Sequence, residues 1–156
     1  MGAPQHRLIL LYQDETVLWR LALPRCGWWR RRQRYRSWSR LTSGVLLHVM
    51  GAVQYGTSRV FYKIVPHFDA HEFRQYLHQV MSLFGATKKQ VVMVVDRSGI
   101  HRARQLTSTL EHDKGKFELH VLPAHNGHPL NPIEGFWRRL KEVIGAGRGF
   151  EDLHQL

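Results

Sequence analysis

Three carboxylates in this chain occur where predicted strands end or a predicted helix begins. Asp14 and Asp96 each come shortly after a hydrophobic run typical of a buried strand, at residues 8–12 and 91–95, and Glu134 lies in the first turn of a predicted helix. Carboxylate oxygens suit Mg²⁺ and Mn²⁺, which prefer hard ligands. Two such ions ~3.5–4 Å apart can activate an attacking oxygen and stabilise a leaving one. The three residues together therefore predict a metal-dependent site that cleaves or joins phosphodiester bonds.

Each carboxylate also has an ordinary structural explanation when it is taken alone. Asp14 can be a turn residue, and Asp96 can initiate a turn through its side chain. Glu134 can be a negative charge that the helix dipole favours near a helix N-terminus. The functional interpretation depends on the three occurring together, each at the end of a suitable element.

The first part of the chain is predicted to form antiparallel strands. Residues 8–12 and 16–23 are expected to be extended, and Pro24 ends the second segment. Residues 45–54 and 59–65 are apolar and partly β-branched on either side of a Tyr-Gly-Thr-Ser turn. That pattern is typical of a hairpin.

The second part of the chain alternates helices and strands. Apolar residues recur at spacings of three and four between Asp69 and Gly85, which predicts an amphipathic helix with Asp69 as its N-cap. The remaining elements are predicted as strand, helix, strand and helix, at residues 91–95, 102–110, 117–122 and from Asn131 to Gly145. The buried face of the last helix is expected to comprise Ile133, Phe136, Trp137, Leu140, Val143 and Ile144. This order favours an α/β fold with a mixed sheet flanked by helices, in which Asp14 and Asp96 share the carboxyl-end edge where ligand sites form.

Composition limits the classes to which the protein can belong. Its 156 residues, 43% of them hydrophobic, fit a single folded domain over residues 1–156. No apolar run approaches the ~20 residues of a transmembrane helix, and residues 8–12 are too short for the core of a signal peptide. The lone cysteine, Cys26, cannot form an internal disulfide and favours a reducing cytoplasm. Structural zinc is not favoured, because a closed zinc site wants four ligands, usually with Cys–His pairs, and the clustered histidines are only His120, His125 and His128.

The charge balance favours nucleic acid as a partner. The chain has 23 Lys and Arg against 12 Asp and Glu, a net charge of +11. Residues 28–40 hold six arginines and four aromatic residues; arginine pairs with phosphates and aromatic rings stack on unpaired bases. DNA contact is predicted for Arg30, Arg31, Arg32, Arg34, Arg36, Trp38, His101, Arg138, Arg139 and Lys141. The alternatives are an exposed basic hairpin whose tryptophans pack on the sheet, a helix-start histidine, and an ordinary solvated helix face.

Three motifs resemble those of the DDE transposases of bacterial insertion sequences in the mariner superfamily. The sequence Gln-Asp-Glu-Thr at residues 13–16 resembles the first-aspartate motif. Val-Val-Asp-Arg-Ser-Gly-Ile-His at residues 94–101 resembles the second, in which a histidine follows the aspartate by five residues. Leu-Asn-Pro-Ile-Glu-Gly-Phe-Trp at residues 130–137 resembles the third, the most diagnostic of the set. The resemblance covers residues 8 to about 145. The 37 residues between the second and third carboxylates are slightly more than is usual in the family, and the extra length is expected in residues 124–129.

The resemblance implies an RNase H-like catalytic domain in which Asp14, Asp96 and Glu134 form the catalytic triad and bind two Mg²⁺ or Mn²⁺ ions. The family's reaction is hydrolytic cleavage at the transposon ends, followed by attack of the freed 3′-hydroxyl on target DNA. The implied partner is double-stranded DNA held by a homodimer, in the bacterial cytoplasm at the nucleoid. No helix-turn-helix module is recognisable, so the domain is expected to be truncated at both ends relative to the family. Either that DNA-binding half is encoded separately, or the chain is a decayed remnant.

Two other functions are compatible with the sequence. One is a non-catalytic DNA-binding regulator or remnant derived from a transposase. The other is a related RNase H-like nuclease or resolvase. Metal-dependent cleavage that requires Asp96 separates a transposase from the regulator, and strand joining separates it from the nuclease.

Overall fold

One mixed sheet organises the protein, whose structure here is a computed structural model describing residues 8–19, 46–112, 115–123 and 131–144. Within these residues five strands lie in the order β3-β2-β1-β4-β5. They are β1 (Leu8–Trp19), β2 (Leu46–Gln54), β3 (Val60–Val65), β4 (Gln90–Val95) and β5 (Phe117–Val121). The predicted hairpin is confirmed, since β2 and β3 pair in antiparallel fashion. β1 is central, antiparallel to β2 and parallel to β4.

β1 is one continuous strand of 12 residues, and the prediction of two extended segments separated near Asp14 is wrong. Asp14 lies inside the strand, opposite Gly51 of β2, and not past a strand end. Asp and Glu are poor strand formers, but strand propensity yields to context. The antiparallel ladder with β2, which runs without interruption from Leu11 to Trp19, keeps Asp14 and Glu15 extended.

The parallel part of the sheet ends at the level of Asp14. The last parallel pair between β1 and β4 is Tyr12 with Val94. Asp14 and Asp96 each lie two residues beyond that pair, and Asp96 directly follows β4 as predicted. The two aspartates are therefore at the same edge, where β4 stops and β1 continues.

Three α-helices accompany the sheet in the described residues: α1 (Ala70–Leu83), α2 (Thr107–His112) and α3 (Ile133–Ile144). Asp69 caps α1, because its carboxylate accepts a hydrogen bond from the Glu72 backbone N–H at 2.7 Å. None of these helices is long and apolar enough to cross a membrane. The predicted α/β class, a mixed sheet flanked by helices, is confirmed.

The predicted helix at residues 102–110 is only partly correct. Two short 3₁₀ turns, Gly99–Arg102 and Arg104–Leu106, precede α2. Ala103 separates them with an extended backbone, at φ −65° and ψ 137°. That conformation interrupts helical hydrogen bonding, so the α-helix begins only at Thr107.

Helices cover the two faces of the sheet separately. One face packs on α1, whose buried side chains are Phe73, Tyr76, Leu77 and Val80. The other packs on α3, through a smaller cluster that includes Leu18, Val49, Ile133 and Trp137. The predicted buried face of α3 is correct except at Val143, which is 63% exposed and does not pack against the cluster, unlike its neighbour Ile144.

α3 approaches the sheet closely at one glycine. A β-carbon at Gly51 would lie 2.5 Å from Cη2 of Trp137, which is closer than van der Waals contact allows. Because Gly51 is the β2 residue opposite Asp14, the Trp137 ring sits close to Asp14 of β1. The absence of a side chain at Gly51 thus sets how near α3 can come to Asp14.

Candidate active site

Asp14 and Glu134 bring two carboxyl groups together between β1 and α3. Burial, followed by the negative charge of Glu134, raises the pKa of Asp14 to about 7. A hydrogen bond between the two side chains acts in the same direction, while the Glu15 backbone N–H opposes it. The pair therefore retains a proton near neutral pH, and a divalent cation between the two groups would remove the cost of ionising both.

Asn131 connects the two elements that carry this pair. Its Nδ2 donates to the backbone oxygen of Gln13 at 2.9 Å, next to Asp14 in β1. Its Oδ1 accepts from the Ile133 backbone N–H at 3.4 Å, which caps α3 one residue before Glu134. A single buried amide thus anchors the start of α3 to β1, and the predicted capping role of Asn131 is confirmed.

Asp96 lies at the same edge, but its side chain is held in its own turn. Its Oδ1 accepts from the Ser98 backbone N–H at 2.8 Å and lies 2.8 Å from Nδ1 of His101. The turn that the sequence offered as an alternative role for Asp96 is therefore present. The side chain remains 45% exposed, so a ligand can still reach it.

His101 lies under this edge in the interior of the protein. Its ring is fully buried and packs on Phe73, with ring centroids 4.5 Å apart. Nε2 lies 3.0 Å from Oε1 of Glu15. Burial alone would lower the pKa of His101, but the hydrogen bond and charge of Glu15, together with Asp96, raise it. The ring has no exposed surface through which it could contact DNA, in contrast to the prediction of a DNA contact at His101.

The donor groups fit a hard divalent cation at the Asp14–Glu134 pair. Two sets of carboxylate oxygens converge there, and a cation would offset both the burial of Asp14 and the charge of Glu134, which raise the pKa of Asp14. Within the described residues, however, no group of three or more His, Cys, Asp and Glu side chains is arranged to hold one ion. Ser98 and His101 both contact Oδ1 of Asp96, so Oδ2 is the oxygen of this exposed side chain that could reach a cation.

The predicted DNA-binding residues fall into two groups. Arg138 and Arg139 are exposed on α3 about one turn after Glu134, and Lys141 is partly buried. Nη1 of Arg139 lies 3.2 Å from Oε2 of Glu142, so this arginine already has a surface partner. The other predicted residues lie outside the described part of the chain: Arg30, Arg31, Arg32, Arg34, Arg36 and Trp38.

Several residues that build the site were not assigned to it from sequence. Glu15 was noted only as part of the first motif, although its carboxylate contacts His101 and accepts from Nε2 of Gln13 at 2.8 Å. Gly51 and Asn131 position α3. A usable signal for Glu15 existed, because adjacent residues in a strand point to opposite faces. Asp14 and Glu15 must therefore serve different sides of the sheet.

The fold is similar to that of Mos1 transposase. A pre-cleavage Mos1 transpososome matches with a TM-score of 0.68 and 18% identity, over 96% of this chain and 46% of that chain. A Mos1 mariner paired-end complex with Mn matches with a TM-score of 0.66 and 19% identity, over 96% and 45%. The catalytic domain of Mos1 mariner transposase matches with a TM-score of 0.60 and 17% identity, over 96% and 65%. This likeness confirms the predicted RNase H-like fold.

The chain spans just under half the length of the Mos1 chains in the two complexes. A search of curated proteins found no match. The sequence family gives the more specific result. A model described as DDE superfamily endonuclease matches residues 9–156, which include all three carboxylate motifs. The chain therefore belongs to the DDE superfamily endonuclease family.

Proposed function

We propose that the protein is a metal-dependent DNA endonuclease and strand transferase that acts in the transposition of an insertion sequence. The observation that carries this proposal is the convergence of Asp14 and Glu134 between β1 and α3. Burial, followed by the charge of Glu134, raises the pKa of Asp14 to about 7. Membership of the DDE superfamily endonuclease family supplies the class of reaction. The net charge of +11 supports DNA as the substrate.

Asp14, Glu134 and Asp96 are the residues proposed to hold two Mg²⁺ or Mn²⁺ ions. The ions, when bound, would activate the attacking oxygen and stabilise the leaving oxygen of a phosphodiester. Support for the choice of ion comes from the oxygen donors at the site and from the Mos1 complex that contains Mn.

The chain itself contributes position and charge. Asn131 and Trp137 hold α3 so that Glu134 stays beside Asp14. Arg138, Arg139 and Lys141 follow on the same helix and would contact phosphates beside the reacting bond. The arginines of residues 30–36 would extend that contact.

The proposed substrates are the transposon ends and the target DNA, bridged by a homodimer in the bacterial cytoplasm at the nucleoid. Mos1 transposase forms a paired-end complex, which is the arrangement that two ends require. Hydrolysis would free a 3′-hydroxyl, and attack of that hydroxyl on target DNA would join the strands.

The test is nicking and strand transfer on labelled DNA that carries the ends of the element, with Mg²⁺ or Mn²⁺. Wild type is compared with Asp96→Asn and with Glu118→Gln, which removes an exposed carboxylate on β5 away from the site. Metal-dependent nicking and joining that only Asp96→Asn abolishes would support the proposal. Nicking without joining would indicate a nuclease or resolvase. DNA binding without any metal-dependent nicking would indicate the non-catalytic regulator and overturn the proposal.

A further inference from the structure

Three side chains form a continuous chain of contacts from the buried face of β1 to the catalytic edge. Oε1 of Glu15 lies 3.0 Å from Nε2 of His101, and Nδ1 of the same ring lies 2.8 Å from Oδ1 of Asp96. Nδ1 also lies 3.2 Å from the Asp96 backbone oxygen. The imidazole thus connects two carboxylates, one on each side of it.

The His101 ring contacts the Asp96 backbone oxygen and the carboxylates of Glu15 and Asp96, and these oxygens only accept when both carboxylates are ionised. Satisfying both sides requires the ring to donate from Nδ1 and from Nε2. Glu15 binds the Nε2 side of the ring, away from Asp96. Its Oε1 also accepts a hydrogen bond from Nε2 of Gln13 at 2.8 Å. With Glu15 in place, Nδ1 presents a donor to Asp96.

Packing fixes the ring as well as hydrogen bonding. His101 has no exposed side-chain surface and contacts Phe73 of α1. A buried ring with both nitrogens engaged has one orientation, so the atom that it presents to Asp96 is fixed in space. This rigidity is what a residue needs in order to orient a neighbouring carboxylate.

Burying the carboxylate of Glu15 costs free energy, so a residue that only fills space at this position would be apolar. Its side chain is 13% exposed and lies on the α1 face, where neighbours such as Leu11 and Met50 are fully buried and apolar. Burial, followed by the charge of Glu15, raises the pKa of Tyr76, so the Glu15 carboxylate affects the ionisation of a buried core residue. A buried carboxylate is costly unless it is paired, and Glu15 is paired with His101.

We propose that Glu15 is a positioning residue that, through His101, holds the carboxylate of Asp96 in the orientation needed at the metal site. Glu15 reaches Asp96 from the opposite face of the sheet to Asp14 and does not itself contact the metal or DNA. The inference rests on the proposed function, because it assigns Asp96 as a metal ligand.

The first experiment measures Mn²⁺ affinity of the full chain by titration, with electron paramagnetic resonance to detect free ion, and measures Tm without metal. Glu15→Gln keeps the shape and removes the charge. We expect a loss of Mn²⁺ affinity of at least about tenfold per folded molecule, as for other residues that orient metal ligands. The Tm shows how much of the protein is folded at the temperature of the titration. Glu72→Gln is the matched control, because Glu72 is 14% exposed and paired with Lys63 at 2.8 Å, far in sequence from the site. It should leave Mn²⁺ affinity unchanged.

A second pair of variants tests the connection through the ring. Asn at position 101 can place an amide N–H near the position of Nδ1, whereas Leu cannot donate. We expect His101→Asn to retain more Mn²⁺ affinity than His101→Leu. If Glu15→Gln leaves the affinity at the wild-type value, or lowers it no more than Glu72→Gln does, the positioning role is overturned.

Asp96→Asn separates this inference from the proposed function. Loss of Mn²⁺ affinity in Asp96→Asn but not in Glu15→Gln would overturn the role of Glu15 alone. Unchanged affinity in Asp96→Asn would mean that Asp96 is not a ligand, which overturns both. Loss in both variants, with the Glu72→Gln control intact, supports both.

Discussion

Trp137 of α3 lies directly against Gly51 of β2, with no room between them for a β-carbon. Gly51 is the pairing partner of Asp14, and Trp137 lies one turn after Glu134 on α3. One contact between an indole ring and a glycine thus sets the separation of two acidic groups that come from residues 14 and 134. The distance between the two carboxyl groups therefore depends on how α3 packs against β2.

Gly51→Ala should separate the two carboxyl groups. The added methyl group would displace Trp137 and with it α3, at a cost of about 1–3 kcal/mol in the free energy of unfolding. We also expect the pKa of Asp14 to fall, since Glu134 would move away. Chemical denaturation and NMR titration of the Asp14 carboxyl carbon measure the two effects.

The matched control for that experiment is Gly135→Ala. A β-carbon at Gly135 meets no atom within 4 Å, and alanine is the better helix former by about 1 kcal/mol. Gly135→Ala should therefore be neutral or stabilising. Equal destabilisation by both variants would contradict the steric role of Gly51.

The stability of the metal-free protein should depend on pH through Asp14. The pKa of this group is about 7 in the folded protein against 3.8 ordinarily, so the folded state binds more protons between these values. The stabilisation that protonated Asp14 adds to the free energy of unfolding is therefore fully present below about pH 4 and is lost as pH rises through about 7. Asp14→Asn lacks this loss and should be more stable than wild type at pH 8, by about 1–2 kcal/mol after allowance for solvent screening.

Thermal unfolding in a chelator at pH 5 and pH 8 checks this prediction. The quantity of interest is the difference in Tm between Asp14→Asn and wild type, because other titrating groups cancel in it. Glu134→Gln should show the same trend, since it removes the charge that opposes ionisation of Asp14. A difference that is constant with pH would contradict the coupling of the two carboxyl groups.

Asn131→Ala should weaken both the fold and the site. It removes the donor to the Gln13 backbone oxygen and leaves that buried acceptor unpaired, which costs about 1–3 kcal/mol. Because α3 then loses its anchor beside Asp14, nicking should fall by more than the loss of folded protein explains. Urea denaturation and nicking per folded molecule are the measurements, with Gln105→Ala as the exposed polar control. Nicking that falls only in proportion to folded protein would limit Asn131 to a capping role.

Arg138→Ala should weaken DNA binding without affecting stability. The side chain is exposed on α3 one turn after Glu134, and each lost phosphate contact lowers the dependence of log affinity on log salt by about one. Affinity measured at several salt concentrations tests this directly. Arg104→Ala, an exposed arginine that precedes α2, is the control for loss of a single positive charge. An unchanged salt slope in Arg138→Ala would mean that Arg138 does not contact a DNA phosphate.

Local patterns predicted most of the elements, and long-range contacts account for what they missed. The apolar spacing after Asp69 predicted α1, and the motif around Asn131 predicted the start of α3. β1 was divided at Asp14 because the residues there are poor strand formers, and only pairing with β2 keeps them extended. The helix predicted at residues 102–110 was too long because propensity does not reveal the extended backbone of Ala103.

The sequence predicted the acidic residues of the candidate site but not the contacts that join its elements. The motifs identified Asp14, Asp96 and Glu134, since the residue types and their places in the elements are visible in the sequence. The contact between Glu15 and His101 joins residues 86 positions apart and exists only because β1 and β4 are parallel neighbours. The contact between Gly51 and Trp137 likewise depends on how α3 crosses the sheet, which no local pattern specifies.

The alternation of side chains along β1 has a consequence for changes in chain length. Asp14 and Glu15 are adjacent, yet one faces Glu134 and the other faces the α1 core. A one-residue insertion or deletion between Leu8 and Asp14, if pairing with β4 were kept, would exchange the two faces. Asp14 would then face the α1 core, and a deletion would put Glu15 in its place beside Glu134. Point substitutions at exposed positions of β1 can be tolerated, but the number of residues between Leu8 and Asp14 cannot change.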